Sequence, residues 1–245
     1  MTTADKLITI AENEQKIYDK GYSQSESDFW DAVQNNGSRY NYEYGFQYWN
    51  CKELKPKYQV KPTKSYRTAN MFAYNTVLEE IKKDYFDLSR YTPATAAASS
   101  SSNYYTFYGC SELKVIEDIG IQGGGYEHTF AACTKLHTIE LMRCVADGNY
   151  ITPFGSCNAL KNLTIEGEIG KNFPIPNSSK LSTASIVSII EHLSQDVTGQ
   201  TLTLNTTAVN NMVFPYTSPY TNITYNSWDE LIATKSNWTI STTTA

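Results

Sequence analysis

Three segments of the chain align with one another: Phe107-Tyr-Gly-Cys110-Ser-Glu-Leu113-Lys-Val-Ile116, Phe130-Ala-Ala-Cys133-Thr-Lys-Leu136-His-Thr-Ile139 and Phe154-Gly-Ser-Cys157-Asn-Ala-Leu160-Lys-Asn-Leu163. Each reads F-x-x-C-x-x-L-x-x-I/L, and the Phe anchors stand 23 and 24 residues apart. A fourth copy, Phe72-Ala-Tyr-Asn75-Thr-Val-Leu78-Glu-Glu-Ile81, carries Asn in the Cys position. Weaker copies follow the same phase at Tyr48-Trp-Asn-Cys51-Lys-Glu-Leu54 and Ile175-Pro-Asn-Ser178-Ser-Lys-Leu181. No other feature constrains the fold as much. A unit this short cannot bury its own apolar face, whereas stacked units build one continuous core, the arrangement of a solenoid.

Phe and Cys three apart, followed by Leu, predict a short helical or 3₁₀ turn with one buried side. The tails Leu136, Ile139, Leu141 and Leu160, Leu163, Ile165 run into a period of two, a strand facing the core. Tyr126, His128 and Phe130 also alternate and predict a second extended piece. The expected repeat core is Phe72, Leu78, Phe107, Cys110, Leu113, Phe130, Cys133, Leu136, Phe154, Cys157 and Leu160. Cysteines repeated at one phase behave as small apolar packing residues. Stacked strands lie about 5 Å apart, which makes disulfides conceivable, but a reduced ladder is the expectation. Cys144 falls outside the phase and is expected at the surface. The step from Phe72 to Phe107 is 35 residues and contains the Ser- and Ala-rich stretch 91–103, expected to project as a loop.

The motif and its step resemble the BspA-type leucine-rich repeats of bacterial surface and phage-borne proteins, over residues 46–181. That resemblance implies an α/β repeat fold, a leucine-rich-repeat solenoid of short strands and short helical turns, and a recognition scaffold rather than an enzyme. The 91–103 insertion departs from the family pattern.

The flanks read differently. Residues 1–45 carry two helical patterns, Leu7, Ile10 and Ile17, then Phe29, Trp30 and Val33, stopped at Asn35-Asn-Gly37. Two readings stand: a helical cap on the first repeat, or an arm for attachment or self-association. The wording of this segment, with Asp28-Phe-Trp-Asp31, Gln34-Asn-Asn-Gly37 and Trp49-Asn50, is similar to N-terminal regions of phage and prophage proteins of gut-type Gram-positive bacteria. That similarity implies other virion tail proteins as partners of the arm. Residues 182–245 read as a mixed α/β cap: a helix capped at Ser182 with Ile186, Ile189, Ile190 and Leu193, a strand at Thr201–Leu204, a helix from Asn226 and a last strand at Trp238–Ile240. Val213–Tyr220 reads as a loop.

Composition narrows the function classes. A net charge of −5 argues against nucleic acid, and no window approaches a membrane span. Residues 1–20 contain no apolar run of signal-peptide length, so the expectation is synthesis in a bacterial cytoplasm without Sec-type export, with a virion as the destination or, alternatively, a cell surface. His128, His137 and His192 form no ligand-spaced set with the cysteines, and no metal or cofactor is expected. There is no P-loop, H-E-x-x-H or G-x-S-x-G, and Gly120-Ile-Gln-Gly-Gly-Gly125 reads as a turn. Glu127-His128 has no nucleophile or ligand partner near it in sequence, and His128 reads as a surface or half-buried histidine. Glu166 and Glu168, which a cell-wall hydrolase would need as its acid pair, read as a solvated strand end. The four N-x-T sequons, at Asn162, Asn205, Asn222 and Asn237, read as products of a Thr- and Asn-rich composition.

The chain holds 19 tyrosines. Tyr44, Tyr126 and Tyr150 each stand four residues before an anchor aromatic and read as packing. Tyr104, Tyr105 and Tyr108, after the insertion, and Tyr216, Tyr220 and Tyr225, near the C terminus, are the candidate recognition surface, because aromatics in loops bind sugars and proteins at low entropic cost. The function expected is non-enzymatic recognition of a host surface protein or glycan by a phage or prophage virion protein. The alternative is a bacterial adhesin or interaction scaffold.

Overall fold

A computed structural model describes residues 72–83, 105–119 and 126–244. The readings made of residues 1–45, the copy at Tyr48–Leu54, the 91–103 insertion, Tyr44, Tyr104 and the glycine run 120–125 lie outside these residues.

The short strands β1 (Glu80–Ile81), β2 (Val115–Ile116), β3 (Thr138–Cys144) and β4 (Asn162–Gly167) form one parallel sheet in chain order. Glu80, Val115, Thr138 and Asn162 stand opposite one another, and Ile81, Ile116, Ile139 and Leu163 form the next row. Equivalent positions of four copies therefore lie side by side. The Lys114 N–H donates to Glu79 O (2.8 Å), His137 N–H to Lys114 O (3.0 Å) and Lys161 N–H to His137 O (3.0 Å), each bond running back to the preceding copy. A second ladder joins the Phe segments with the opposite polarity. Phe72 N–H donates to Thr106 O (2.8 Å), Phe107 N–H to Thr129 O (2.9 Å) and Phe130 N–H to Pro153 O (3.0 Å), each time toward the following copy. Around Phe130, alternate residues Tyr126, His128, Phe130 and Ala132 all donate across in this way.

Between the two ladders the chain turns by tight turns rather than by the short helical or 3₁₀ turn read from the sequence. The Cys N–H donates to the Phe carbonyl of its own copy (Cys133 to Phe130, 3.1 Å) and the Leu N–H to the Cys carbonyl (Leu136 to Cys133, 3.1 Å). The second residue after each Phe has a positive φ: Tyr74 61°, Gly109 72°, Ala132 62° and Ser156 62°. A left-handed residue at that place ends any helical run and is the mark of a type II turn.

The space enclosed is filled by side chains of one phase. Phe72, Phe107, Phe130 and Phe154 stack with centroids 5.3, 6.0 and 5.4 Å apart and planes within 12°. Phe173 ends this column edge-on, 6.3 Å from Phe154, and also ends the Tyr126–Tyr150 column, 5.3 Å from Tyr150. Leu78, Leu113, Leu136 and Leu160 are fully buried beside them, as are Cys110, Cys133 and Cys157. The cysteines are free thiols. Each donates to the anchor Phe carbonyl of the preceding copy: Cys110 to Phe72 (3.1 Å), Cys133 to Phe107 (3.0 Å) and Cys157 to Phe130 (2.9 Å). Ser178, in the same position of the next copy, donates to Cys157 O (3.2 Å).

Two positions differ from the sequence reading, and one irregularity accounts for both. Between Ile139 and Met142, β3 carries one more residue than β4 has opposite it, a β-bulge. The bulge shifts the alternation by one. Leu141 is thereby turned away from the fully buried set, and Met142 and Cys144 turn in, so Cys144 is buried rather than exposed. Burial pushes the Cys144 thiol up to about 12, with the Tyr150 hydroxyl opposing the shift.

The sheet ends against α1 (Thr183–Glu191), whose N-cap Ser182 accepts a hydrogen bond from the Ser185 N–H. Its Ile186, Val187, Ile189 and Ile190 enter the core. Beyond it, β5 (Phe173–Ile175), β6 (Gln200–Asn205) and β9 (Trp238–Thr243) form a second parallel sheet in the order β5-β6-β9. The segment after β6 is richer than the sequence reading. It holds a short helix α2 (Thr206–Asn210) and an antiparallel hairpin whose first strand β7 (Tyr216–Thr217) falls in the expected loop Val213–Tyr220 and whose second, β8 (Thr224–Tyr225), lies beyond it, before α3 (Trp228–Ala233). Lys235 is buried and donates to Leu193 O (2.5 Å), while Asn237 Nδ2 donates to Ser194 O (3.0 Å) and Val197 O (2.7 Å), fastening the last strand to the end of α1. No described helix is long and apolar enough to cross a membrane.

Candidate recognition surface

The candidate tyrosines separate into two groups, and the structure does not bring the two together. In the first, Tyr105 and Tyr108 are half-buried members of an aromatic row on the Phe-segment side. Tyr74 meets Tyr108 edge-on at 5.3 Å, Tyr108 meets Tyr105 edge-on at 4.8 Å, and Tyr105 stacks on His128 at 4.9 Å and 8°. His128 in turn shares a hydrogen bond of 2.7 Å with the Thr152 hydroxyl. The row exists because Tyr105, His128 and Thr152 each stand two residues before an anchor Phe, and each has a positive φ, 55°, 50° and 42°. Three equivalent left-handed residues project their side chains in one direction from successive copies. Tyr74 and His128 were missing from the sequence candidates. The repeat phase placed His128 beside Tyr105, one copy on, and was the signal available.

In the second group, the β7–β8 hairpin folds over the C-terminal end of α1. Glu191 holds it there: its carboxylate accepts from the hydroxyls of Ser218 (2.7 Å), Thr221 (2.7 Å) and Tyr225 (2.9 Å). Tyr225 is therefore an internal residue, 2% exposed, and not part of a recognition surface. Burial pushes its hydroxyl up to about 12, and the Glu191 carboxylate adds to the shift. Alternation in the hairpin places Tyr225 inward, opposite Tyr216, which is half-buried. Burial likewise raises the Tyr216 hydroxyl, with Tyr220 and Glu191 contributing. Tyr220 is the open member, 45% exposed, resting edge-on against His192 at 5.8 Å, with its hydroxyl 3.4 Å from Thr164 on β4. Val213 and Ile223 are exposed in the same segment. Neither Glu191 nor His192 was among the sequence candidates, since their role depends on a hairpin that no local pattern announced.

The carboxylates considered for chemistry have structural partners. Arg143, on the outward side of the β3 bulge, lies between Asp118 (3.2 Å) and Glu166 (3.0 Å), spanning neighbouring strands. Glu168 stands beyond the end of β4 and accepts from the Ser194 hydroxyl (3.0 Å). Glu127 accepts from Asn149 Nδ2 (3.0 Å). Of the sequons, Asn205 is buried with its amide donating to Pro176 O (2.7 Å), and the Asn237 amide is spent on the carbonyls after α1.

No protein-family profile, no curated protein and no solved structure matches this chain.

Proposed function

We propose that the chain is a leucine-rich-repeat solenoid that serves as a non-enzymatic recognition module on a phage or prophage virion, contacting a protein or glycan of the host surface. The observation that carries this reading is the rigid presentation of open aromatics. Tyr220 is 45% exposed, yet it stands on a hairpin pinned to α1 by three hydroxyls on one carboxylate. Aromatic rings held in place lose little freedom on binding, so contact area converts efficiently into affinity. The aromatic row from Tyr74 to His128 is a second surface of the same kind, built by the repeat itself. The engagement of Glu166 and Glu168 with different partners, Arg143 and Ser194, favours a structural reading of both over an acid pair.

Purified particles test the setting: antibody raised against residues 126–244 should label intact virions, and peptides of the chain should appear in their mass spectra. Absence of the chain from purified virions, together with its presence on the bacterial surface, would replace the virion reading by the adhesin reading. Binding of the purified chain to host cells should fall at least tenfold on Tyr220→Ala, with the folding transition unchanged.

A further inference from the structure

The aromatic row ends at Thr152, and beside it opens a concavity of about 560 Å3 between residues 147–152, Lys171, Asn172, Pro174 and Gln200. Behind its lining the backbone is close-packed. A side chain on Gly170 would lie 2.1 Å from Ala146 O, and the buried Tyr150 hydroxyl both donates to Val145 O (2.8 Å) and accepts from Val145 N–H (3.0 Å).

Two amides on this wall have a defined orientation. The Asn172 N–H donates to Gln200 Oε1 (3.1 Å), and the Thr201 N–H donates to Asn172 Oδ1 (2.8 Å). Because each amide oxygen is the acceptor, each NH2 group is turned to the other side. Those four N–H bonds have no protein partner among the described residues. Asp147 and Lys171, both exposed, add an anionic acceptor and a cationic donor, and Ile151, 49% exposed, adds an apolar platform.

Fixed donors, a carboxylate acceptor and one aliphatic surface match a ligand whose groups both donate and accept and whose faces carry C–H bonds. Asp147 and Lys171 cancel in net charge, so the lining calls for no net charge on the ligand. We propose that this concavity is a binding site for a neutral saccharide, whose vicinal hydroxyls bridge the Asn172 and Gln200 amides and Asp147 while one ring face lies on Ile151. The volume falls within the roughly 300–1,000 Å3 of small-molecule sites. The proposal rests on the recognition reading above and narrows it to a ligand class and a place.

The test uses the full chain on a printed array of neutral hexose and N-acetylhexosamine oligosaccharides, followed by calorimetric titration of the best-bound member. The double variant Asn172→Asp with Gln200→Glu keeps both acceptor oxygens, and so the fold, but removes the donors. It is expected to lose at least tenfold in affinity, and Asp147→Ala, at an exposed position, severalfold. Lys180→Ala, at an exposed position outside the lining, is expected to leave this affinity unchanged. Array binding that survives in the double variant and in Asp147→Ala, or that is lost equally in Lys180→Ala, overturns the site. An empty array, with binding to a panel of Gram-positive cells that protease treatment of the cells abolishes, overturns the saccharide but leaves recognition standing. An empty array with no cell binding overturns both.

Discussion

The hydroxyl of Ser188 lies 2.9 Å from the amide nitrogen of Ile165 and accepts its hydrogen, as the hydroxyl of Ser185 does from Leu163 at 2.8 Å. Two serines one helical turn apart on α1 thus satisfy the N–H groups that β4 would otherwise offer to a further strand. An open parallel edge is a template for pairing with another chain, and a helix laid along it closes it. Ser185 Oγ also donates to Lys161 O (3.0 Å), so the same hydroxyl serves both sides of the backbone.

Ser185→Ala with Ser188→Ala leaves two buried amides unsatisfied, each at about 1–3 kcal/mol. We expect a loss of about 2–5 kcal/mol in urea unfolding and faster hydrogen exchange at Leu163 and Ile165. A change below about 0.5 kcal/mol would show that these bonds contribute nothing net.

Cys133 lies fully buried and its thiol donates to Phe107 O, so Cys133→Ala removes both packing and a donor. The expected cost is about 1–2 kcal/mol. Cys133→Ser should cost no more than the alanine change, because Ser178 shows a hydroxyl in the equivalent position reaching a carbonyl of the preceding copy. Chemical denaturation of the two variants side by side decides this; a serine variant clearly less stable than the alanine one contradicts the hydrogen-bonding role.

Burial holds the Cys144 and Cys157 thiols at about 12 and raises the Cys133 thiol and the Tyr126 and Tyr150 hydroxyls in the same direction. An unfolded thiol loses its proton near pH 8.5, so the unfolded chain releases protons that the folded one keeps. The stability these groups contribute is therefore fully present below about pH 8.5 and is lost as pH rises toward about 12. The urea midpoint should be insensitive to their titration up to about pH 8 and decline above about pH 9. Iodoacetamide should modify Cys110, Cys133, Cys144 and Cys157 only in denaturant; rapid labelling of Cys144 in the native protein would refute its burial.

Glu191→Ala removes the shared acceptor of Ser218, Thr221 and Tyr225, and Glu191→Gln weakens it. Hydrogen bonds to a charged group contribute about 1.5–3 kcal/mol, and loss of the hub should cost about 2 kcal/mol. The effect should be local: faster hydrogen exchange and proteolysis between residues 216 and 225, with the repeat region unchanged. Uniform loosening of the whole chain would contradict the assignment.

Ala132 and Ser156 hold φ of 62°, the position at which another copy carries Gly109. Ala132→Gly and Ser156→Gly should be neutral to stabilising, by up to about 1 kcal/mol, since left-handed backbone disfavours a Cβ. Ala132→Val should be destabilising by more than about 1 kcal/mol, because a β-branched side chain fits that conformation worst. Thermal unfolding of the three variants gives the order directly.

How much of this was legible depended on whether the determinant was local. The phase of Phe130, Cys133 and Leu136 follows from spacing alone, and these side chains have no exposure. The helix start at Ser182 was legible because a cap is a contact between residues three apart, and the last helix, read as beginning at Asn226, has its N-cap one residue later at Ser227. Phe173, where two aromatic columns meet, was invisible to the period: it precedes the degenerate copy and belongs to a strand paired with β6, 27 or more residues on. The candidate surface was only partly legible. Tyr216 and Tyr220 came from loop composition, but nothing local separates them from Tyr225.

By itself, then, the amino-acid order determined the period, the phase of the buried column and the start of α1, because backbone geometry ties those to residues within a few positions, whereas α1 ends at Glu191, before the Leu193 counted into it, and α2 was not read at all. Tertiary structure alone decided that Met142 and Cys144, not Leu141, face the core, since a bulge is defined only against the strand it pairs with. It alone decided that Tyr225 is internal while Tyr220 is open, since exposure depends on Glu191, 34 residues from Tyr225 in sequence. And it alone turned the Asn172 and Gln200 amides toward one concavity, because each orientation is set by a backbone N–H on the other's strand segment.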